Sequence, residues 1–303
     1  MPDWGQISAQ LQAATGVSLA EASARPVGGG CISSAFVLDG ADGADGAGRY
    51  FVKTHRPSAV AMFEAERDGL VELAVGDHLR VPRPLHCGLS REHAFLVLEY
   101  VPLQAQGDQR LLGEGLAALH RTAASTGAGE PGRFGWHRDN TIGATPQRND
   151  WSNDWVQFWA EQRLGYQLQL AATNGAGLAF VRRVERLQAG LAAFFSDYQP
   201  LASRLHGDLW SGNYAFDGEG RPVIFDPAVY FGDRETDLAM TELFGGFSRE
   251  FYAAYGAAWP LDAGYATRKT LYNLYHILNH YNLFGGGYLA QAQGMVDRLL
   301  AEC

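Results

Sequence analysis

Three polar residues, two acids and an amide, follow one another at short spacings in the last third of the chain. Asp208 lies within His-Gly-Asp-Leu-Trp-Ser-Gly-Asn, Asn213 closes that run, and Asp226 follows a turn and a short apolar segment. A carboxylate can accept the proton of a hydroxyl group, and amide and carboxylate oxygens are ligands that Mg²⁺ accepts. These residue types suit phosphoryl transfer, which needs positioning and charge neutralisation more than covalent help from the protein.

The order and spacing of Asp208 and Asn213 match the catalytic loop H-R-D-x-x-x-x-N of kinases. The turn Gly218-Glu219-Gly220 and the apolar run Pro222 to Phe225 predict a hairpin that ends at Asp226. We therefore predict that Asp208 is the base and that Asn213 and Asp226 are Mg²⁺ ligands. An acidic turn without a catalytic role is the simpler interpretation, but three such residues in this order favour the site.

A glycine triplet near the N-terminus, Gly28-Gly29-Gly30, separates two apolar segments and is followed by Cys31 and Ser33. This pattern predicts two strands joined by a hairpin. In a kinase such a loop covers the nucleotide phosphates, because backbone N–H groups can approach closely where no Cβ intrudes. Gly28, Gly29, Gly30 and Ser33 are thus candidate ATP-binding residues, although a plain hairpin would look the same.

A strand predicted over residues 49–54 carries Lys53, and helical periodicity over 63–73 places Glu66 on or beside an apolar face. A lysine on a strand paired with a glutamate on a helix is how kinases hold the α- and β-phosphates of ATP. We predict the pair Lys53–Glu66, with Glu64 as the alternative partner. A surface lysine and a solvated glutamate are the commoner interpretation for each residue alone.

Strand and helix patterns divide the chain into an α+β, two-lobe arrangement. We predict that residues 1–98 form a small antiparallel β-sheet lobe with one helix, which binds the nucleotide. Residues 104–303 are predicted to form a larger, mostly helical lobe for catalysis and substrate binding. Between them, residues 99–103 follow a buried-type strand and predict a hinge. There the backbone C=O of Glu99 and N–H of Val101 would meet the adenine edge.

The composition excludes several classes of function. The chain has 303 residues, 47% hydrophobic and 19% charged, enough for a sizeable core, and its net charge of −9 gives no attraction for nucleic acid or anionic membranes. Three scattered cysteines form no metal or disulfide pattern, which favours a reducing compartment. With no signal-peptide pattern and no apolar run of membrane-spanning length, we expect a cytoplasmic protein that binds neither nucleic acid nor membrane.

Motifs distributed over nearly the whole chain resemble the fructosamine kinase (ketosamine kinase) family. The residues that carry the resemblance are Gly28-Gly29-Gly30 with Ile32-Ser33, Phe51-Val52-Lys53, Phe63-Glu64-Ala65-Glu66, Asn140-Thr141-Ile142-Gly143, Thr145-Pro146-Gln147, Asn149-Asp150-Trp151, His206 to Asn213, Asp226-Pro227-Ala228 and Gly232-Asp233-Arg234-Glu235-Thr236-Asp237. The resemblance implies a protein-kinase-like fold related to the aminoglycoside and choline kinases, with ATP and Mg²⁺ as cofactors.

The resemblance also implies an activity, phosphorylation of the C3 hydroxyl of a ketosamine, that is, a ribulosamine, erythrulosamine or fructosamine. The 3-phosphate product is unstable and releases the amine, so that the reaction removes sugars from glycated amines. The substrate would be a ketosamine, free or attached to a protein. Two alternatives stay open: a kinase for another small molecule, such as an aminoglycoside or choline, and a catalytically silent kinase-like binding module.

Four further residues have less certain roles. By resemblance Asp237 anchors the catalytic loop backbone, although an aspartate before an apolar helix is also typical of an N-cap. Trp210 could form an apolar wall against a sugar or be a core aromatic, and His280 is the candidate for substrate contact on a late helix. Cys31 could act as a redox switch, because phosphate-binding amides favour a thiolate, or pack as a small apolar residue.

Overall fold

The computed structural model describes residues 1–28, 32–41, 48–122 and 132–303, which form two compact units. The first unit comprises Met1–Gly107 and Ala215–Asp226, and the second comprises Asp108–Tyr214 and Pro227–Cys303. None of the helices in these described ranges combines the length and the hydropathy that a membrane span requires.

The first unit is built on a five-stranded antiparallel sheet. Its strands are β1 (Arg25–Val27), β2 (Ser34–Asp39), β3 (Arg49–His55), β4 (Pro84–Leu89) and β5 (Ala94–Glu99), in the order β1-β2-β3-β5-β4. The first two strands pair antiparallel across the glycine-rich segment, so the predicted hairpin is confirmed. Lys53 on β3 lies opposite Ala35 on β2 and Leu96 on β5, near the middle of the sheet.

Two α-helices, rather than the single helix expected, belong to this unit: α1 (Trp4–Thr15) and α2 (Val60–Leu73). The Asp3 side chain accepts a hydrogen bond from the N–H of Gln6 at the start of α1, and Gly16 ends the helix in a left-handed conformation. Spacings of three and four residues along α1 give it one apolar face. That face packs against the sheet in a core formed by Trp4, Ile7, Leu11, Leu19, Leu38, Val52, Phe95 and Val97.

A short hairpin, β9 (Tyr214–Phe216) and β10 (Pro222–Ile224), leads to Asp226, as the sequence predicts. The buried carboxylate of Asp217 closes its turn by accepting the backbone N–H groups of Glu219 and Arg221 at 2.9 and 3.0 Å. Backbone hydrogen bonds join Phe216 to Gln104 in both directions. The hairpin before Asp226 is therefore fixed by bonds within its own turn and by its backbone bonds to Gln104.

The second unit is mostly helical. Its helices are α3 (Gln109–Arg121), α4 (Trp155–Phe158), α5 (Tyr166–Thr173), α6 (Leu178–Ala189), α7 (Glu235–Leu243), α8 (Arg249–Ala258), α9 (Tyr265–Phe284) and α10 (Tyr288–Ala301). Two antiparallel strand pairs accompany them: β6 (Asn140–Ile142) with β7 (Thr145–Gln147), and β8 (Ala202–Leu205) with β11 (Tyr230–Asp233). A π-helix, Trp159–Gly165, separates α4 from α5.

The two helices α3 and α8 make contact at Gly113. A Cβ atom on this residue would lie 2.4 Å from the carbonyl oxygen of Phe251, which is backbone and cannot move aside. Gly256, on the partner helix α8, has no neighbour within 4 Å of an added Cβ. Gly113 therefore lies in a tight helix–helix contact, whereas Gly256, in the same pair of helices, has open space around it.

We expect opposite stability effects from these two glycines. Gly113→Ala should lower the free energy of unfolding by about 1–3 kcal/mol, because the methyl group forces the helices apart. Gly256→Ala should raise it by up to about 1 kcal/mol, because alanine loses less conformational entropy in a helix. Urea titration followed by circular dichroism measures both. Equal effects of the same sign would contradict the close contact at Gly113.

Candidate active site

In the first unit, Lys53 is held between two carboxylates. Its Nζ lies 2.5 Å from Oε1 of Glu66 on α2 and 2.5 Å from Oδ1 of Asp226. Glu66, rather than Glu64, thus faces the lysine. Burial acts to lower the pKa of Lys53, but the two carboxylates outweigh it and raise that pKa above its usual range. The lysine is therefore a fixed cation at every physiological pH.

The backbone of Asp226 is unusual, because its φ of 57° lies in the left-handed region that non-glycine residues seldom adopt. Such a conformation costs free energy and is found where the surrounding structure enforces it, commonly at functional sites. The Asp226 side chain is 46% exposed although one of its oxygens contacts Lys53. The hairpin thus delivers an accessible carboxylate at a strained turn.

In the second unit, the loop from His206 to Asn213 is fastened by the carboxylate of Asp237. Oδ2 accepts the backbone N–H of His206 at 2.7 Å, and Oδ1 accepts that of Gly207 at 2.8 Å. Asp237 is the third residue of α7, whose N-cap is Arg234, so the anchoring role is confirmed and the N-cap interpretation is wrong. Burial opposes the charge, but hydrogen bonds from His120 and the loop hold the pKa of Asp237 below its usual value.

A chain of buried side chains supports this carboxylate. Nε2 of His120 lies 3.1 Å from Oδ2 of Asp237, and because a carboxylate only accepts hydrogen bonds, the imidazole is the donor. The other ring nitrogen of His120 lies 2.9 Å from the hydroxyl of Tyr255, which itself accepts a bond from Arg234 at 3.2 Å. Helices α3, α7 and α8 are thereby joined beneath the loop. Neither periodicity nor motif spacing in the sequence indicated His120.

Within the loop, Asn213 orients Asp208. The amide nitrogen of Asn213 donates to the backbone oxygen of Asp208 at 2.8 Å and to its Oδ2 at 3.2 Å. His206 is buried, and its Nδ1 accepts the N–H of Asp208 at 3.3 Å, so it orients the loop. The side chain of Asp208 is therefore positioned from both ends of the loop.

Gly207 is required where the loop meets the segment after Asp226. Its φ is +82°, and an added Cβ would lie 2.0 Å from the carbonyl oxygen of Ala228. The N–H of Ala228 in turn donates to the carbonyl of His206 at 2.8 Å. Only glycine permits this approach, so the position of Ala228 determines where the loop can run.

A polar brace on the β6–β7 hairpin holds Ala228 and the residue after it. Nε2 of Gln147 donates to the carbonyl of Ala228 at 3.0 Å, and Nδ2 of Asn140 donates to that of Val229 at 2.8 Å. Gln147 also donates to Oδ1 of Asn140 at 2.9 Å. We call Asn140, Gln147 and Asn149 the hairpin brace.

The hairpin brace is secured from behind by two elements. Asn149 donates to Oδ1 of Asn140 at 3.0 Å and accepts a bond from the buried guanidinium of Arg163, in the π-helix, at 2.8 Å. The hydroxyl of Tyr275 on α9 donates to Oε1 of Gln147 at 2.8 Å. The sequence motifs contained these asparagines and the glutamine, but only their burial reveals that they position backbone.

The two candidate substrate residues are linked through a third aromatic ring. Trp210 is 38% exposed, so it is not a core aromatic, and its ring centroid lies 6.4 Å from that of Phe244. The Phe244 ring lies 4.9 Å from that of His280, whose Nδ1 contacts the carbonyl of His276 at 2.8 Å. The structure thus brings Trp210 and His280 to one aromatic surface of the second unit.

The remaining candidates lie in the first unit or outside the described residues. Glu99 ends β5 and donates its N–H to Arg83, and Val101 follows with a buried side chain. Gly28 and the partly buried Ser33 flank the glycine loop. The candidates Gly29, Gly30 and Cys31 lie outside the described residues.

Comparison with known proteins relates the chain to a single family over almost its whole length. Residues 3–302 match the sequence model of the family described as fructosamine kinase. A Synechocystis protein assigned as a ketoamine kinase is 46% identical over 98% of this chain and 97% of its own. The chloroplastic protein-ribulosamine 3-kinase of Arabidopsis thaliana is 43% identical over 90% of this chain and 81% of its own length.

The fold has close counterparts among solved structures. A Haemophilus somnus protein assigned as a fructosamine-3-kinase superimposes with a TM-score of 0.85 at 30% identity, covering 98% of this chain and 97% of its own. An aminoglycoside phosphotransferase in ternary complex with AMP-PNP and hygromycin B gives 0.63 at 16% identity, covering 98% of both chains. At that identity the second likeness concerns the fold alone, and the fold is protein-kinase-like, as expected.

We expect the hairpin brace to control the order of the loop. Gln147→Met removes the bonds to Ala228, Asn140 and Tyr275 while keeping a similar volume. Tyr275→Phe keeps the bond to Ala228 and removes the hydroxyl's bonds with Gln147 and Gln167. Each should lower the free energy of unfolding by about 1–3 kcal/mol. Hydrogen–deuterium exchange should rise at residues 206–213 and 228–229 in Gln147→Met only. If Tyr275→Phe loosens the loop equally, the brace does not act through Ala228.

Proposed function

The chain belongs to the fructosamine kinase family, and on that premise we propose that it transfers the γ-phosphoryl group of ATP to the C3 hydroxyl of a ketosamine. The observation that carries the proposal is the loop fastened to Asp237, in which Asn213 orients Asp208. Relatives assigned as ketoamine kinases and as protein-ribulosamine 3-kinase support the choice of acceptor, with ribulosamines first among the candidates.

Asp208 acts as the base in this proposal. Its carboxylate accepts the proton of the C3 hydroxyl as the oxygen attacks the γ-phosphorus and the bond to the β-phosphate oxygen breaks. Asn213 keeps the carboxylate directed by donating to its Oδ2. The contribution of the loop is thus preorganisation: the acid is in position before the substrate arrives.

Lys53 neutralises the α- and β-phosphates, with Glu66 holding its ammonium group in place. The pair is largely buried, with side-chain exposures of 11% and 13%, so the lysine cannot swing away freely. Gly28, Gly29, Gly30 and Ser33 would offer loop backbone to the phosphates. Glu99 and Val101 would offer their backbone C=O and N–H to adenine.

The residues fit a magnesium ion held partly by substrate. Among the described residues, no group of three or more His, Cys, Asp or Glu side chains could hold a metal by itself. Mg²⁺ is commonly bound by one or two side chains together with nucleotide phosphates, and Asp226 and the amide oxygen of Asn213 supply donors of that kind. When bound, the ion would neutralise charge that develops on the β- and γ-phosphates.

The product and its setting complete the proposal. A 3-phosphorylated ketosamine decomposes and frees the amine, so the reaction would repair glycated amines, including those on proteins. We place this activity in the cytoplasm. Trp210 and His280 would contact the sugar, Trp210 as an apolar wall and His280 as a polar neighbour on the same aromatic surface.

The first test measures ATP consumption with Mg²⁺ on ribulose-lysine, fructose-lysine, an aminoglycoside and choline. We expect turnover of a ketosamine, and Asp208→Asn should lower kcat by about 10²- to 10⁴-fold, because the amide cannot accept the proton. Thermal unfolding and ATP binding of the variant serve as controls for folding. Turnover of only the aminoglycoside or choline would support a kinase activity but contradict a ketosamine as the acceptor.

A second test concerns the metal. Asp226→Asn should raise the half-saturating Mg²⁺ concentration by at least about tenfold, because a neutral amide replaces a charged ligand. Glu219→Gln, on the turn of the same hairpin, removes an exposed acid of the same charge and should leave the Mg²⁺ requirement unchanged. Equal Mg²⁺ dependence of the three proteins would remove Asp226 from the metal site.

A further inference from the structure

An unbroken series of aromatic rings leads away from the catalytic loop along the surface of the second unit. We call Trp210, Phe244, His280, Phe284 and Tyr288 the aromatic strip. Ring centroids lie 4.9 Å apart for Phe244–His280, 5.6 Å for His280–Phe284 and 5.2 Å for His280–Tyr288. Phe284 and Tyr288 are themselves 6.5 Å apart. The strip begins two residues after Asp208 in the chain and continues onto α9 and α10.

The far end of the aromatic strip is open to solvent. Phe284, the last residue of α9, is 63% exposed, and Trp210 at the near end is 38% exposed. Gly285 and Gly286 follow with positive φ angles of 65° and 63°, which turn the chain sharply into α10. Single exposed apolar residues are ordinary, but a contiguous aromatic surface that starts beside a reactive loop is typical of a binding site.

Resting on the proposed function, we propose that the aromatic strip binds the amine carrier of the ketosamine, and specifically the apolar stem of a glycated lysine. The sugar hydroxyl that reacts belongs beside Asp208. The amine nitrogen is attached to C1, two carbons from the reacting C3, and the carrier extends beyond it. A carrier that leaves Trp210 therefore meets Phe244 and His280 next, and then Phe284 and Tyr288.

Aromatic rings suit both parts of such a carrier. The secondary amine of an alkyl ketosamine is largely protonated at neutral pH, and ring faces attract an alkylammonium group. The four-carbon stem of lysine then offers an apolar surface that can cover Phe284 and Tyr288. A short carrier such as methylamine would not reach these two rings. The strip thus predicts selectivity for carriers with a long apolar stem.

The test compares three ribulose conjugates: of methylamine, of N-acetyl-lysine amide at its ε-amine, and of an amine with an ether-containing stem of lysine length. Phe284→Ala should lower kcat/KM for the lysine conjugate by about five- to tenfold, since methylene groups lose an apolar partner. The methylamine conjugate should change less than about twofold, because it does not contact Phe284. In the unmodified protein, the ether conjugate should have a lower kcat/KM than the lysine conjugate.

Two variants serve as controls. Phe284→Tyr keeps the ring and should retain the preference for the lysine conjugate. Leu201→Ala removes an apolar side chain of similar exposure, 66%, outside the strip and should change neither conjugate. Equal losses on methylamine and lysine conjugates, or no loss in Phe284→Ala, would overturn the proposal. If the unmodified protein phosphorylates none of the conjugates, the proposed function itself fails and the carrier site falls with it.

Discussion

The carboxylate of Asp237 is the group on which the candidate active site of the second unit depends. It is buried, and it accepts bonds from two successive backbone amides of the loop and from His120. A buried charge is tolerated only when it is paired and hydrogen-bonded, and loss of its partners costs about 3–5 kcal/mol. The protein therefore cannot release the loop without exposing an unpaired charge. Together with the glycine at position 207 and the bonds from Asn213, this constraint fixes where Asp208 stands.

A second set of contacts fixes the segment that follows Asp226. Ala228 is held by Gln147 and lies against Gly207, so the residues just after Asp226 and the loop before Asp208 define each other. Protein kinases order the corresponding region by phosphorylation of an activation loop. In this protein, side-chain amides of a short hairpin hold residues 228 and 229, and Arg163 and Tyr275 secure those amides.

The sequence predicts those parts of this arrangement that have strong local signals. Glycines, short apolar runs and helical periodicity predicted the sheet, the hairpin before Asp226 and the pairing of Lys53 with Glu66. One helix was predicted for the sheet lobe, where α1 and α2 both occur. Neither the π-helix nor the role of His120 has a signal in the sequence pattern. Buried amides and imidazoles have no periodicity of their own, because their partners are distant in sequence: backbone carbonyls for Asn140 and Gln147, and side chains for His120. Residues such as Gln147 can be recognised in a motif, but their role emerges only when the carbonyl they hold is known.

The contrast between the two units suggests how the proposed chemistry is organised. Loop positions in the second unit rest on neutral amides and on the carboxylate of Asp237, which accepts three hydrogen bonds. Lys53 in the first unit is different, since it contacts two carboxylates and one of them, on Asp226, is exposed to solvent for nearly half of its side-chain area. In the proposed mechanism, Asp226 would turn to a metal while Lys53 would keep Glu66 and gain a phosphate. Under the proposed function, the fixed contacts would serve the acceptor and the exchangeable ionic contacts would serve the nucleotide, which suits a reaction whose charge builds up on one substrate only.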